Sequence, residues 1–271
     1  MKTNSGKTAI VTGASMGIGR ATAEALARAG YTVFGTSRRS TNDGPNQVSM
    51  LTCDVTDDES VKSLVSTVLA RTGRIDLLVN NAGLGLQGGA EESSMDQVQA
   101  LFDVNMFGVV RATNAVLPSM RQRGGGRIIN IGSVLGFLPA PYSAFYSATK
   151  HAIEGYSESL DHEVRAFGVR VSVVEPAYTR SVFDQNSLQP DAKMPEYDKA
   201  RAGVLALIED VMATADAPEV VAETVVLAAN AARPKHRYTA GKLARQISVL
   251  RRFVPADAFD KSLRKQMRLP A

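Results

Sequence analysis

The sequence predicts an α/β fold in which a doubly wound parallel sheet of about seven strands carries helices on both faces. Strand-like apolar runs alternate with helical patterns about six times along the 271 residues, with no internal repeat and no break in composition. Glycine-rich or polar segments follow the predicted strands, so these segments should meet at one edge of the sheet. We therefore expect a single domain spanning residues 1–271.

Apolar runs rich in β-branched residues predict the strands, and longer amphipathic patterns predict the helices between them. The first six strands are Thr8–Thr12, Tyr31–Thr36, Val48–Cys53, Leu77–Asn80, Arg127–Ile131 and Val169–Val174. The main helices run from the first glycine-rich turn to about Gly30, from Thr56 to about Arg71, from Ser94 to Arg121, and from Ser143 to Phe167. Thr56-Asp57-Asp58-Glu59 is a capping-box pattern that predicts the start of the second helix.

Composition restricts the class of protein. The chain is 44% hydrophobic and 21% charged, which is ordinary for a soluble globular protein. Its single cysteine, Cys53, excludes an internal disulfide and suits a reducing compartment. The three histidines, at positions 151, 162 and 236, lack ligand spacing, so we expect no metal site. We expect a cytoplasmic location, because the N-terminus shows no signal-peptide core and no apolar run has the length of a membrane span.

The net charge of +4 is concentrated near the end of the chain. Residues 241–271 carry eight basic and two acidic side chains, a charge of +6, which leaves −2 for the remainder. Because the positive charge lies in a tail and no nucleic-acid motif is present, we expect no nucleic-acid partner.

Three glycines, Gly13, Gly17 and Gly19, follow the first predicted strand and open a helix. Glycines at this junction let a pyrophosphate approach the backbone N–H groups at the helix N-terminus. The spacing is neither the Gly-x-Gly-x-x-Gly fingerprint nor a Walker loop. A turn that needs positive φ explains one such glycine but not three. The pattern predicts a dinucleotide-binding fold of the Rossmann type.

The end of the second predicted strand indicates which dinucleotide binds. An unphosphorylated adenosine ribose favours an acidic residue there. This chain instead reads Thr36-Ser37-Arg38-Arg39, and a guanidinium forms charge-assisted hydrogen bonds with a 2′-phosphate. Solvated surface arginines are the alternative, and NADP(H) is the predicted cofactor.

A second motif lies between Gly132 and Lys150. Tyr146 and Lys150 stand four residues apart, so both side chains leave one face of a helix. An ammonium near a phenol favours the phenolate and lowers the tyrosine pKa from about 10. Ser133 ends the preceding strand and can reach the same place. Alone, such a pair is equally well a surface tyrosine beside a solvated lysine.

The ordered set of motifs resembles the short-chain dehydrogenase/reductase family over most of residues 7–180. Thr12–Gly19 resembles the family's cofactor loop, and Asn80–Gly83 matches its Asn-Asn-Ala-Gly motif. The resemblance implies a catalytic tetrad of Asn105, Ser133, Tyr146 and Lys150. It also implies cofactor contacts by Gly13, Ser15, Met16, Gly17, Ile18, Gly19, Ser37, Arg38, Arg39, Asp54, Val55, Asn81, Ala82, Gly83, Tyr146, Lys150, Pro176 and Thr179.

The implied reaction is hydride transfer between the nicotinamide and a ketone or secondary alcohol. In the reductive direction Tyr146 acts as the general acid, Lys150 lowers its pKa and contacts the nicotinamide ribose, and Ser133 donates to the substrate oxygen. The resemblance assigns Asn105 to a helix bend and a water that feeds a proton relay. One departure is Pro176-Ala177, where the family usually has Pro-Gly; alanine fits if its φ is negative.

Substrate contacts are predicted in two places. Ser133, Leu135, Tyr142 and Tyr146 should form one apolar wall, and Phe183 should belong to a substrate-covering insertion at residues 180–215. That insertion is a mobile lid or an ordinary packed helical segment. A basic helical extension, residues 242–271, follows the last strand.

The extension is similar to hydroxysteroid- and retinol-dehydrogenase-like members, which prefer bulky apolar substrates. Two alternatives remain: a 3-oxoacyl-thioester reductase, and a catalytically silent NADP(H) sensor on the same fold. The basic extension either packs on the domain with a solvated face or makes weak contact with an anionic membrane surface. Resemblance further implies a homodimer or homotetramer.

Overall fold

Seven parallel strands form one sheet with the order β3-β2-β1-β4-β5-β6-β7 in the computed structural model, which describes residues 6–39, 44–181, 183, 187–267 and 269. The strands are β1 Thr8–Val11, β2 Thr32–Ser37, β3 Val48–Thr52, β4 Leu77–Asn80, β5 Gly126–Ile131, β6 Val169–Pro176 and β7 Arg237–Ala240. The predicted doubly wound sheet is confirmed.

Nine α-helices are present in the described part of the chain. They are α1 Gly17–Arg28, α2 Asp58–Thr72, α3 Met95–Phe102, α4 Gly108–Gln122, α5 Ala144–Val164, α6 Asp198–Met212, α7 Pro218–Asn230, α8 Lys242–Phe253 and α9 Ala256–Gln266. A π-helical segment, Asp103–Phe107, joins α3 to α4.

The helices cover both faces of the sheet, as crossovers between parallel strands require. Helices α1 and α7 pack on one face, and α2, α4 and α5 pack on the other. The strand β1 lies at the centre: Ile10 pairs with Phe34 of β2 on one side and with Leu78 of β4 on the other. The order of connection reverses between β1 and β4, and ligands bind at such a switch point.

The start of α2 lies one residue later than predicted. Helix α2 is capped by Asp57, whose carboxylate accepts a hydrogen bond of 2.6 Å from Ser60 N. Thr56 is therefore not the cap, because its hydroxyl donates to Asp54 Oδ1 instead. The predicted helical region from Ser94 to Arg121 is confirmed: Ser94 caps α3, α4 ends at Gln122, and a π-helical segment inserts one wider turn around Asn105.

Both segments with open predictions contain α-helices. In the 180–215 insertion, α6 follows a short 3₁₀ turn, and residues 182 and 184–186 lie outside the described part. The basic extension forms α8 and α9, which separate at Val254-Pro255; Arg268 lies outside the described part. No helix among the described residues has the length and apolarity needed to cross a bilayer.

Candidate active site

A cleft of about 1760 Å³ opens along the carboxyl ends of the strands. Every predicted cofactor residue lines it, and so do the catalytic candidates Ser133, Tyr146 and Lys150. Of the predicted substrate residues only Tyr142 does not. Asn105 is also absent from the lining and sits behind the wall of the cleft. The sheet topology thus gathers segments that are up to 166 positions apart in sequence, from Gly13 to Thr179.

The loop between β1 and α1 has an open N-terminal turn. Gly13 and Gly17 have φ of +66° and +53°, a region that favours glycine. A Cβ at Gly19 would lie 2.2 Å from the carbonyl oxygen of Gly13, so only glycine fits there. Met16 is the N-cap residue of α1, and its side chain forms no capping hydrogen bond. The first N–H groups of α1 therefore face the cleft without a side-chain cap, as an anion-binding turn requires.

Asn81 and Thr12 fix this loop to the end of β4. The Asn81 amide donates to the carbonyl oxygens of Thr12 and Gly13, at 2.9 and 3.1 Å. The Thr12 hydroxyl accepts from the N–H groups of Asn81 and Ala82, both at 3.0 Å. The backbone of Ala82 and Gly83 is thereby presented to the cleft. The Asn81 side chain positions the loop, because its donors are already used.

Both guanidinium-bearing residues after β2, Arg38 and Arg39, are exposed and line the cleft. Within the described ranges neither forms an ion pair. Asp54 lies across from them, where hydrogen bonds from Thr56 hold its carboxyl pKa below the ordinary value and Arg38 adds to that effect. This end of the cleft presents free positive charge beside one fixed carboxylate.

Lys150 is buried, with 8% of its surface exposed, and α5 directs it beneath the end of β5. Its Nζ donates to the carbonyl oxygen of Ile131 at 2.8 Å and lies 5.6 Å from the centroid of the Tyr146 ring. Burial lowers the pKa of Lys150 to about 8, and the Glu154 carboxylate acts in the opposite direction. The lysine is thus an ammonium ion at neutral pH that titrates near the physiological range.

Asn105 lies in the π-helical segment and pairs with the backbone of Leu84. Its Oδ1 accepts from Leu84 N at 2.8 Å, and its Nδ2 donates to Leu84 O at 2.9 Å. The same Nδ2 reaches the Thr149 hydroxyl at 3.2 Å, and that hydroxyl donates to the carbonyl oxygen of Tyr146. Asn105 therefore connects the loop after β4 to the helix turn that carries Tyr146.

Ser133 follows β5 and caps a short turn, Val134–Gly136. Its Oγ accepts from Leu135 N at 3.1 Å. Because this bond uses a lone pair of the hydroxyl, the O–H remains available as a donor toward the cleft. The ring of Phe183 lies 5.9 Å from the Tyr146 ring, centroid to centroid. Ser133, Tyr146 and Phe183 therefore surround one part of the cleft.

Tyr142 does not line the cleft, and its predicted substrate contact stays a prediction. Tyr142 has φ of +61°, which is rare for a bulky residue. Its carbonyl oxygen accepts from Gly88 N at 2.9 Å, and its ring packs edge-on against Tyr197 at 6.2 Å. The ring of Tyr142 is thus in contact with Tyr197 of the 180–215 insertion. Ala177 stands where the family usually has glycine after the proline. Its φ is not positive, so alanine fits at this position.

Sequence reasoning missed a second apolar wall. It is formed by side chains of α6, α8 and α9: Val204, Leu207, Ile208, Val211, Leu243, Ile247, Leu250 and Leu263. The four residues of α6 follow the i, i+3, i+4, i+7 pattern of an amphipathic helix. That pattern was readable in the sequence, although the partner of its apolar stripe was not. The cleft therefore combines the region of Arg38 and Arg39 with a long, largely apolar region, to which Lys242 and Arg245 of α8 add positive charge.

Comparison with known proteins is consistent with this geometry. Residues 7–192 match the family model for short chain dehydrogenases. A 3-ketodihydrosphingosine reductase of Bacteroides thetaiotaomicron is 43% identical over 177 residues, which cover 65% of each chain and so less than two thirds of that relative. A short-chain dehydrogenase structure from Streptomyces avermitilis has a TM-score of 0.80 and 34% identity, covering 97% of each chain.

A second solved structure, a short-chain dehydrogenase/reductase from Burkholderia phymatum in complex with NAD, has a TM-score of 0.81 and 26% identity. It covers 96% of this chain, and this chain covers 97% of it. The sheet order and the cleft at its switch point agree with these matches. The chain belongs to the short-chain dehydrogenase/reductase family, whose members are oxidoreductases that bind a nicotinamide dinucleotide and act on small-molecule alcohols or carbonyls.

Proposed function

We propose that this oxidoreductase reduces the carbonyl group of a bulky apolar ketone with NADPH, or catalyses the reverse oxidation. The main supporting observation is the place of Tyr146 and the buried Lys150 between the two ends of the cleft. On one side lie the open N-terminus of α1 and Arg38, and on the other lie the apolar side chains of α6 and α8. A dinucleotide and an apolar substrate can therefore meet beside the tyrosine.

The cofactor, when bound, supplies the hydride that adds to the carbonyl carbon. Tyr146 then donates its phenolic proton to the oxygen, so that the ketone gains one hydride and one proton. Lys150, as an ammonium ion next to the ring, stabilises the phenolate that remains. The Ser133 hydroxyl donates a hydrogen bond to the same oxygen and stabilises its developing negative charge. Asn105 holds the backbone of Tyr146 through Thr149.

The preference for NADPH over NADH rests on Arg38 and Arg39. A 2′-phosphate carries negative charge that a free guanidinium binds in a forked, charge-assisted arrangement. No carboxylate stands at the end of β2 to accept a bond from an unphosphorylated ribose, since the residues there are Thr36, Ser37 and Arg38. Asp54 is the nearest carboxylate on the next strand and is engaged by Thr56.

The substrate class rests on the apolar end of the cleft. Side chains of α6, α8 and α9 line this end. It gives room for a long or polycyclic hydrocarbon beside the carbonyl. The similarity to a 3-ketodihydrosphingosine reductase supports a ketone on a long aliphatic chain. A 3-oxoacyl thioester is the alternative substrate, and a non-catalytic NADP(H) sensor is the alternative function.

Steady oxidation of NADPH with a panel of ketones tests the proposal. The panel should include a long-chain 3-ketone, a steroid ketone, a 3-oxoacyl thioester and a short ketone such as butanone. We expect turnover of the long apolar ketones, and a loss of at least about 100-fold in kcat for Tyr146→Phe with NADPH binding retained. Tight NADPH binding without turnover of any ketone would favour the sensor.

Three further properties are proposed on less direct grounds. Exposed apolar side chains of α8, Val249, Leu250 and Phe253, stand beside the exposed Arg251 and Arg252, which suits weak contact with an anionic membrane surface. The family resemblance supports a homodimer or homotetramer that uses α4 and α5. A cytoplasmic location fits the single buried cysteine.

A further inference from the structure

Two carboxylates and a guanidinium lie buried behind the catalytic lysine, outside the cleft. Glu154 on α5 and Glu175 near the end of β6 are only 4% and 1% exposed. Arg237, the first residue of β7, donates from Nε to Glu154 Oε2 at 2.8 Å and lies 3.6 Å from Glu175 Oε1. We call Glu154, Glu175 and Arg237 the buried charge cluster.

The buried charge cluster holds two carboxyl groups and one guanidinium. One guanidinium serves two buried carboxylates, and within the described residues Glu154 Oε1 and Glu175 Oε1 accept no hydrogen bond. Burial and the charge of Glu154 raise the pKa of Glu175 to about 8, and burial also raises the pKa of Glu154. At neutral pH Glu175 is therefore mostly protonated, and the buried charges of the cluster are the Glu154 carboxylate and the Arg237 guanidinium.

A second buried cation, Lys150, acts on Glu154 through its charge. Glu154 follows Lys150 by four residues in α5, which places both on the same face of the helix, one turn apart. The Glu154 carboxylate is the charge that counters the effect of burial on the pKa of Lys150. Lys150 in turn lowers the pKa of Glu154, although less than Arg237 does.

Glu154 also supports the turn that carries Ser133. A Cβ at Gly132 would lie 3.0 Å from Glu154 Oε1, and one at Gly136 would lie 2.9 Å from Glu154 Cγ. The same Gly136 position lies 3.1 Å from the carbonyl oxygen of Lys150. The turn after β5 thus rests directly on the Glu154 side chain, and both ends of the turn need glycine for this approach.

We propose that Glu154, held by Arg237 and Glu175, is a positioning residue that seats the Ser133 turn on α5 and supplies the negative charge that keeps Lys150 an ammonium ion. It is not a catalytic residue, since it does not line the cleft. The inference rests on the proposed function, in which the ammonium of Lys150 acts on Tyr146. The other titratable or charged groups around the cluster are Tyr146 and Glu158 on α5, and His236 beside β7.

Glu154→Gln tests this role, because it removes the charge and keeps the shape. The Lys150 ammonium then loses its nearby carboxylate, so its pKa falls and the reductive activity is lost at lower pH than in the wild type. We expect the alkaline limb of kcat against pH to shift down by about one unit, which is about tenfold in kcat at a fixed pH on that limb. NADPH affinity at pH 6 should change little.

Glu158→Gln is the matched control. Glu158 is the other carboxylate partner of Arg237 on α5, at 3.3 Å, but its side chain is 49% exposed. A carboxylate that faces water is screened, so its removal should leave the pH profile in place. If the cluster had a purely structural role, Glu154→Gln would lower thermal stability without moving the alkaline limb of kcat against pH. That result would overturn the proposal.

Arg237→Gln provides a second approach if Glu154→Gln does not fold. Without the guanidinium, Glu154 takes up a proton and loses its charge, so the alkaline limb should again move to lower pH. If the wild type turns over no ketone, the proposed function fails, and the pH dependence of NADH and NADPH binding replaces kcat as the measurement. Whether kcat or dinucleotide binding is measured, a pH dependence of Glu154→Gln or Arg237→Gln that is identical to that of the wild type contradicts the inference.

Discussion

Single side chains carry the chemistry that we propose for this site, and Arg38 is the one to which we assign the choice of cofactor. Its guanidinium is exposed at the end of β2 and lines the cleft. We expect Arg38→Ala to weaken NADPH roughly tenfold to a hundredfold, because a hydrogen bond between charged groups contributes about 1.5–3 kcal/mol. NADH affinity should change less than about threefold. Fluorescence titration with both dinucleotides measures the two constants.

The control for Arg38→Ala is Arg20→Ala, which removes an exposed guanidinium of α1 that does not line the cleft. It should leave both affinities unchanged. Equal weakening of NADPH and NADH by Arg38→Ala would contradict the contact with a 2′-phosphate and indicate a general loss of positive charge.

At the residue scale, the sequence was informative wherever the chemistry follows from residue type and spacing. Tyr146, Lys150 and Ser133 were found in this way, and all three line the cleft. The spacing could not show that Lys150 is buried or that Glu154 faces it, since burial depends on how β6 and β7 pack on α5. The positive φ of Tyr142 could not be predicted either, because such a conformation in a bulky residue has no local signal.

At the element scale, α6, α8 and α9 form the apolar wall that we assign to the substrate. Leu250 of α8 lines the cleft, and half of its surface is exposed there. We expect Leu250→Gln to raise KM for a long-chain ketone about tenfold, because it removes roughly 1–2 kcal/mol of apolar contact. The Kd for NADPH and the KM for butanone should stay within about twofold.

Phe253→Gln is the matched control on the same helix. Its side chain is 74% exposed and does not line the cleft, so all three constants should be unchanged. If Leu250→Gln raises KM for the short and the long ketone alike, α8 does not contact the aliphatic part of the substrate.

The elements themselves were mostly predictable. Buried parallel strands are continuous apolar runs, and for that reason the first six strands were located to within a few residues. The π-helical segment around Asn105 was not, because it arises from tertiary bonds between Asn105 and Leu84 rather than from helix propensity. The apolar stripe of α6 was visible, but its position over the cleft depends on the connection from β6.

At the scale of the whole molecule, the sheet order brings the glycine loop, the Tyr146 helix and the apolar helices to one edge. The same arrangement places the basic extension beside the opening of the cleft, because Leu243 and Leu250 line it. A substrate that partitions into membranes could then enter from the lipid surface. Because this contact involves both the cleft and the basic extension, it is tested on the intact chain.

Vesicle sedimentation tests the contact with membranes. We expect the wild type to sediment with phosphatidylglycerol vesicles at low salt and not with phosphatidylcholine vesicles, since basic side chains contribute about 1 kcal/mol each near an anionic surface. Replacing the exposed Lys261, Arg264 and Lys265 of α9 by Gln should abolish the binding. Replacing the exposed Arg28, Lys62 and Arg71 by Gln should not. Equal loss of vesicle binding in both triple variants, or no loss in either, would exclude the basic extension as the segment that contacts the membrane.

The proposed reaction is tested by one assay, the initial rate of NADPH oxidation with a long-chain 3-ketone, in the wild type and in Tyr146→Phe. We expect clear turnover by the wild type and a rate at least about 100-fold lower in the variant, which should still bind NADPH because the other cofactor contacts are kept. Turnover that survives in Tyr146→Phe would contradict the role of Tyr146 as the proton donor. A wild type that binds NADPH but oxidises none of it with any ketone would contradict the enzyme itself.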